Sequence, residues 1–255
     1  MSFAPLFAGV ATRAQAERLV AEWLRDPGRF GGAFPVAGTP HEDPASLDNE
    51  YWRGRVWPPL NYIVYRGLRR YGYDEDAACV ARAGDEMFRR SWDDGGRSYE
   101  NFNQRTGEGG DSPDAEPFYT WGTLLPMLAE MDLLDLDPFD GLCVGSPAPP
   151  VASASLPTGA WGLLRADAHP DGVALAGPDG LVFRSHGSAG RFRSVRLEPD
   201  ALSLSLPASA APMTIEVPWP VRASTLDGVP VETRASGAVV APPGAAGRTL
   251  RIERD

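Results

Sequence analysis

The hydrophobic pattern changes period once along the chain, near residue 143, and that change limits the fold more than any other feature. Upstream, apolar residues recur at helical spacing, the signature of helices with one buried face. Downstream, short segments alternate apolar and polar residues between Gly, Pro and Asp turns, the signature of half-buried strands. One uniform architecture is thereby excluded. The expected fold class is α+β and multidomain, divided by a segment rich in Pro, Ala and Ser at 144–157 that reads as a linker. The expected domains are residues 1–143 and 158–255.

Four helices are expected in the first part. Residues 13–25 open with Thr12-x-x-Gln15, a capping-box pattern in which each side chain meets the other's backbone N–H. Ala16, Leu19, Val20, Trp23 and Leu24 share one face, and Asp26-Pro27-Gly28 stops the helix. Residues 60–71 begin after Pro58-Pro59 and end at Gly72. Residues 75–92 take Asp74 as cap and end before Asp93-Asp94-Gly95-Gly96. Residues 120–131 form the fourth, bent at Pro126. The loops 28–56 and 93–119 are long for a compact domain, which is usual for functional segments.

Ten strands follow, at 161–166, 172–176, 181–184, 194–197, 202–206, 213–217, 221–226, 229–233, 238–241 and 249–253. Asp227-Gly228 lies between two of them, and a two-residue hairpin needs residues that tolerate positive φ at both central positions. Short strands with Gly and Pro turns predict an antiparallel β-sandwich.

Charge narrows the partners. The net charge is −10, and every one of the 24 basic residues is Arg. Without a basic run, a nucleic-acid partner is not expected, because phosphate binding needs clustered cations. No apolar run approaches the roughly 18 residues of a membrane span. Residues 1–15 show no basic region followed by an apolar stretch, so no secretory signal and a cytoplasmic location are expected. Cys79 and Cys143 read as buried free thiols, Cys79 on the apolar side of a helix. His41, His169 and His186 lack metal-ligand spacing. Neither a metal nor a cofactor is expected.

Chemistry concentrates in three segments, each at a helix end. In Tyr51-Trp52-Arg53-Gly54-Arg55-Val56-Trp57-Pro58-Pro59, aromatic faces suit the C–H face of a sugar and Arg donors suit its hydroxyls. The same residues equally describe a packed aromatic corner with Arg stacked on Trp. In Tyr99-Glu100-Asn101-Phe102-Asn103, Glu100 is an isolated carboxylate between aromatics, the setting of a desolvated general base, or else a solvent-facing Glu in a Gly-rich loop. Pro117-Phe118-Tyr119-Thr120-Trp121-Gly122 again places aromatics at a helix start.

Taken in order, Tyr51 to Pro59, then Glu100-Asn101-Phe102-Asn103 with Thr106-Gly107, then Phe118-Tyr119-Thr120-Trp121-Gly122, the chain resembles glycoside hydrolase family 63 and its mannosylglycerate-hydrolase-like relatives. Family 37 trehalases are more distantly similar. The resemblance spans roughly residues 3–140. It implies part of an (α/α)6 barrel and inverting hydrolysis of α-glycosidic bonds in an oligosaccharide or small glycoside. By position it implies Glu100 as the base that activates water. Trp52, Arg53 and Trp57 would line the subsite of the cleaved sugar, and Tyr119 and Trp121 its aromatic wall. Asn101 would orient the base or touch the sugar.

Inversion also needs a general acid, roughly 6.5–9.5 Å from the base. In this family it is an Asp within an aromatic Trp-Asp segment, and nothing upstream of Glu50 resembles that segment. Asp48, Glu50, Asp93 and Glu108 are the available substitutes, and nothing in the sequence singles one out. Four helices do not close a barrel of twelve. The expectation is therefore the C-terminal part of a longer enzyme, inactive or weakly active alone, whose open face meets a missing barrel half or a second copy. The alternative is a non-catalytic carbohydrate-binding or scaffolding module, its affinity resting on Trp57 and Trp121 and not on Glu100.

Overall fold

The computed structural model describes residues 3–255. Helices and antiparallel sheets are both present, in two compact units: residues up to Ala129, and Glu130–Asp255. The division falls inside a helix, earlier than the change of pattern at residue 143.

The first unit contains α1 (Ala4–Ala8), α2 (Arg13–Leu19, prolonged by a π turn at Val20–Leu24), α3 (Pro58–Tyr71) and α4 (Asp74–Gly95). Thr12 and Gln15 form the capping box in both directions. Gly72, in the left-handed region, closes α3 with its N–H on Leu68 and Arg69. Two expectations fail at α4. Tyr73, not Asp74, is its N-cap, and the Asp74 carboxylate takes a 2.9 Å bond from Arg69 instead. The helix also runs through Asp93, Asp94 and Gly95 to a left-handed Gly96. Cys79 is exposed rather than buried, whereas Cys143 is buried; both thiols are free.

The two long loops are not structureless. A two-residue ladder pairs β1 (Arg55–Val56) with β2 (Phe102–Asn103). Ala37 bridges to Val56, and Ser98 bridges in parallel to Phe118. Val56, Met87, Phe88, Tyr99, Phe102 and Leu125 bury a common cluster beneath them. A 3-10 turn at Thr120–Thr123 leads into α5 (Leu124–Leu133).

The second unit begins with a hairpin of β3 (Leu134–Asp137) and β4 (Gly141–Val144), which the helical expectation for residues up to 143 missed. Val144 and Phe192 exchange backbone hydrogen bonds of 3.0 and 2.8 Å, so this hairpin packs with the strands that follow. The expected linker is corrected too: β5 (Ser153–Thr158) pairs along its whole length with β6 (Gly162–His169). β5 is an edge strand, the place where Pro157 costs no needed ladder donor.

Then come β7 (Gly172–Gly177), β8 (Gly180–His186), β9 (Arg193–Glu198), β10 (Ala201–Ser205), β11 (Met213–Glu216), β12 (Val221–Leu226), β13 (Val229–Pro230), β14 (Val239–Ala241) and β15 (Thr249–Arg254). One antiparallel sheet has the order β14-β11-β8-β7-β6-β5, the other β13-β12-β15-β10-β9. Leu164, Leu175, Phe183 and Ile215 from the first, and Leu202, Leu204, Leu250 and Ile252 from the second, share one hydrophobic cluster. Asp227 and Gly228 adopt φ of 50° and 80°, and Leu226 pairs with Val229 across them. Among the described residues no helix is long and apolar enough to cross a membrane.

Candidate active site

The three aromatic segments converge within the first unit. Glu50 and Arg53 exchange backbone hydrogen bonds of 2.9 and 2.8 Å, a tight turn that puts Tyr51 and Trp52 at its tip. Tyr51 pays with a φ of 47°, a region that bulky residues rarely occupy. Both tip residues are exposed. Trp52 stacks on Trp57, with centroids 3.8 Å apart and planes 15° from parallel. Trp57 meets Tyr51 and Trp121 edge-on at 5.0 and 6.0 Å. Tyr119 lies 4.4 Å from Trp121.

Burial sorts these rings into two roles. Trp57 is fully buried, and its indole N–H donates to the Tyr51 carbonyl at 3.0 Å. In this position it is the floor that props up Trp52. Trp52 and Tyr119, 44% and 36% exposed, present the open faces, with Trp121 partly buried between. Arg53 is exposed, with its guanidinium turned to Asp48 (3.3 Å) and Glu50.

Glu100 is clamped on both sides. Its N–H donates to the Glu116 carbonyl at 2.8 Å, and its carbonyl accepts from the Trp121 indole at 2.8 Å. The parallel bridge between Ser98 and Phe118 makes this possible. Gly122 permits it too, since a Cβ there would lie 2.4 Å from the Ser98 hydroxyl and 2.7 Å from the Tyr99 carbonyl. The half-buried Glu100 carboxylate accepts from Asn101 Nδ2 at 3.4 Å. Asn101 itself is fully buried, with its side chain engaged by Glu100, Arg55 and the Asp114 carbonyl.

Behind Asn101 lies a network that sequence reasoning missed. Arg55 is completely buried. Its Nε donates to Asn101 Oδ1, Nη1 to Asn49 at 3.0 Å, and Nη2 to Asp111 at 2.9 Å. Asp111 also accepts from Asn49 at 2.9 Å and Asn103 at 2.7 Å. Burial alone would raise the Asp111 pKa, but these donors and the Arg55 charge lower it below the usual carboxylate value. A planar guanidinium with all three nitrogens donating thus holds the loop that carries Glu100.

The Glu100 pKa is raised. Desolvation is the largest cause, followed by the charge of Glu116 and, less strongly, that of Asp114; the Asn101 bond opposes them. Glu116 and Asp114 are thus carboxylates whose charge raises the Glu100 pKa. A carboxyl group raised in the folded state releases its proton first from the unfolded chain, so its ionisation costs stability as pH rises past the ordinary value of 4.5. Glu100→Gln should therefore be more stable than the wild type at neutral pH, and the gain should vanish below pH 4.5. Thermal melts of both proteins across that range test this; a variant less stable at neutral pH would contradict the origin of the shift.

Residues 1–122 match the family model described as a mannosylglycerate hydrolase MGH1-like glycoside hydrolase domain. Mannosylglycerate hydrolase MGH1 of Selaginella moellendorffii is 40% identical over 88 residues, which are 33% of this chain and 17% of that protein. The mannosylglycerate hydrolase of Thermus thermophilus is 34% identical over 110 residues, 42% of this chain and 24% of that protein. A crystal structure of the GH63 mannosylglycerate hydrolase from Thermus thermophilus in complex with glucose is 27% identical, with a TM-score of 0.41, over 49% of this chain and 29% of that one. The chain thus spans about a quarter or less of the curated relatives it matches. Residues 1–122 are thus similar to the mannosylglycerate hydrolase MGH1-like glycoside hydrolases, and the match covers just under half of the chain.

Proposed function

We propose that the first unit supplies the general base and sugar-contacting wall of an inverting hydrolase of α-glycosidic bonds, acting on mannosylglycerate or an α-glucoside. In this reading residues 1–122 are a share of an (α/α)6 barrel, and the second unit is an appended β-sandwich. The observation that carries it is Glu100: a half-buried carboxylate with a raised pKa, fixed through backbone and side chain, and joined through Trp121 to Tyr119 and, by way of Trp57, to Trp52. A base of higher pKa pulls harder on the proton of water near neutral pH.

Glu100 takes a proton from water, the water oxygen attacks the anomeric carbon, and the bond to the leaving oxygen breaks. Trp52 and Tyr119 pack the C–H face of the sugar, Arg53 exchanges a carboxylate partner for hydroxyls, and Trp121 and Asn101 keep the base in place. The proton for the leaving oxygen comes from a carboxylic acid outside the first unit, contributed by a further barrel segment or a second chain.

Glycosyl fluorides test the base without the acid, because fluoride departs unprotonated. We expect the chain to hydrolyse α-mannosyl or α-glucosyl fluoride with inversion, and Glu100→Gln to be slower by about 10²–10⁴-fold. Intact mannosylglycerate should turn over far more slowly. Equal rates for wild type and Glu100→Gln would sink the reading. Sugar affinity without fluoride hydrolysis, lost in Trp52→Ala and kept in Glu100→Gln, would make the first unit a binding module.

A further inference from the structure

The second unit brings together residues that sequence spacing keeps apart. His169 ends β6, His186 ends β8, and Asp171 lies in the turn between β6 and β7. The order of the sheet is β8-β7-β6, so β7 separates the two histidines. Its first residue, Gly172, pairs with His169. A Cβ at Gly172 would lie 2.8 Å from His169 Cε1 and 2.1 Å from the Ser185 carbonyl. Because Gly172 has no side chain, the imidazoles close over the intervening strand to a centroid distance of 5.1 Å.

Asp171 faces both rings. Its Oδ1 is 3.0 Å from His169 Nδ1, and its Oδ2 is 3.4 Å from His186 Nδ1. One ligand atom from each of the three residues lies within 4.8 Å of the other two. Ligands bound to zinc at 2.0–2.1 Å in a tetrahedron are about 3.3 Å apart, close to the two distances Asp171 already makes. The Asp171 side chain is 60% exposed and that of His186 38%, so an ion can enter and the carboxylate can turn without repacking. On the far side of His186, Nε2 lies 3.8 Å from Glu216 Oε2. That is longer than a hydrogen bond, but it puts a carboxylate on the side of the imidazole where, after a closing shift of roughly half an ångström, it would orient a metal-bound His and raise its basicity. The backbone is tied as well, with Ser188 N–H donating to the Asp171 carbonyl at 3.0 Å.

We propose that His169, Asp171 and His186 bind one divalent transition-metal ion, with Glu216 as outer partner to His186. Two imidazoles and one carboxylate form a borderline donor set that suits Zn²⁺ or Co²⁺, while Mg²⁺ and Ca²⁺ take all-oxygen sites. Asp171 and Glu216 supply the negative charge that a dication balances. Three protein ligands leave a coordination position for water or for an oxygen of another molecule.

The test uses the full, untagged chain, stripped with chelator. Calorimetry with Zn²⁺ should give one ion per chain, and Co²⁺ should give visible d–d absorption that Zn²⁺ abolishes. Zn²⁺ should also raise the melting temperature. The double variant His169→Ala with His186→Ala should lose all three signals, and His41→Ala should keep them. Glu216→Gln should weaken binding by about 10–100-fold. Should the double variant not fold, Asp171→Asn, altered only at an exposed side chain, is expected to lose at least about tenfold in affinity. A wild-type chain that takes up no Zn²⁺, or variants that bind like wild type, would overturn the site.

Discussion

Arg55→Ala should destabilise the first unit by about 3–5 kcal/mol, the usual cost of removing one partner from a buried ion pair. Its guanidinium is fully buried and its partner Asp111 has a side chain only 18% exposed. Removal leaves the Asp111 carboxylate with neutral donors alone, and takes a donor from both Asn49 and Asn101. At this size of unit the melting temperature should fall on the order of 10–20 °C. Arg55→Lys should recover little, because one ammonium does not reproduce a planar fork with three separated partners. Thermal or urea unfolding decides the matter: a variant within a few degrees of wild type would mean that the network is not what holds the Glu100 loop.

The second large effect separates Trp57 from Trp52. Trp57→Ala empties a fully buried site bounded by Tyr51, Trp52 and Trp121, and should cost about 3–5 kcal/mol. Trp52→Ala removes a half-exposed ring that stacks on Trp57 and meets Tyr51 edge-on, and should cost about 1–2 kcal/mol. Under the proposed function their effects on sugar binding differ as well. Trp52→Ala weakens affinity in a folded protein, whereas Trp57→Ala weakens it by unseating the turn at 50–53. Parallel melts and sugar titrations check the pair. A Trp57→Ala protein as stable as wild type that no longer binds sugar would restore Trp57 to direct contact.

Local signals in the sequence carried much of the fold. The Thr12–Gln15 box, the Gly72 cap and the Asp227-Gly228 turn rest on neighbouring residues, and each is present. Each of the ten expected strand segments contains strand, because alternation over several residues is a local property. Asp93-Asp94-Gly95 looks like a stop, yet the left-handed Gly96 decides where α4 closes. β1 and β2 have two residues each, too few for any period to show. β5 hid behind the composition of a linker.

The site divides in the same way. Glu100, Trp52 and Tyr119 stood out as an isolated carboxylate and aromatics at helix ends, given direction by a family resemblance. Arg55 did not stand out from Arg53, two residues earlier, because its importance comes from Asp111, 56 positions away. His169 and His186, 17 positions apart, are hidden as a pair in the same way. Their proximity comes from strand order and from the missing side chain at Gly172.

The contrast between the two cysteines makes the chain convenient for optical work. Cys79 is at the surface of α4, while Cys143 is buried with its thiol pKa pushed up by desolvation. Since the thiolate is the reacting species, a maleimide dye at neutral pH marks Cys79 and leaves Cys143 untouched. A fluorophore at that one position reports on the helical unit alone. Unfolding of the helical unit is then read by dye emission, separately from the strand unit and without engineering a new attachment point.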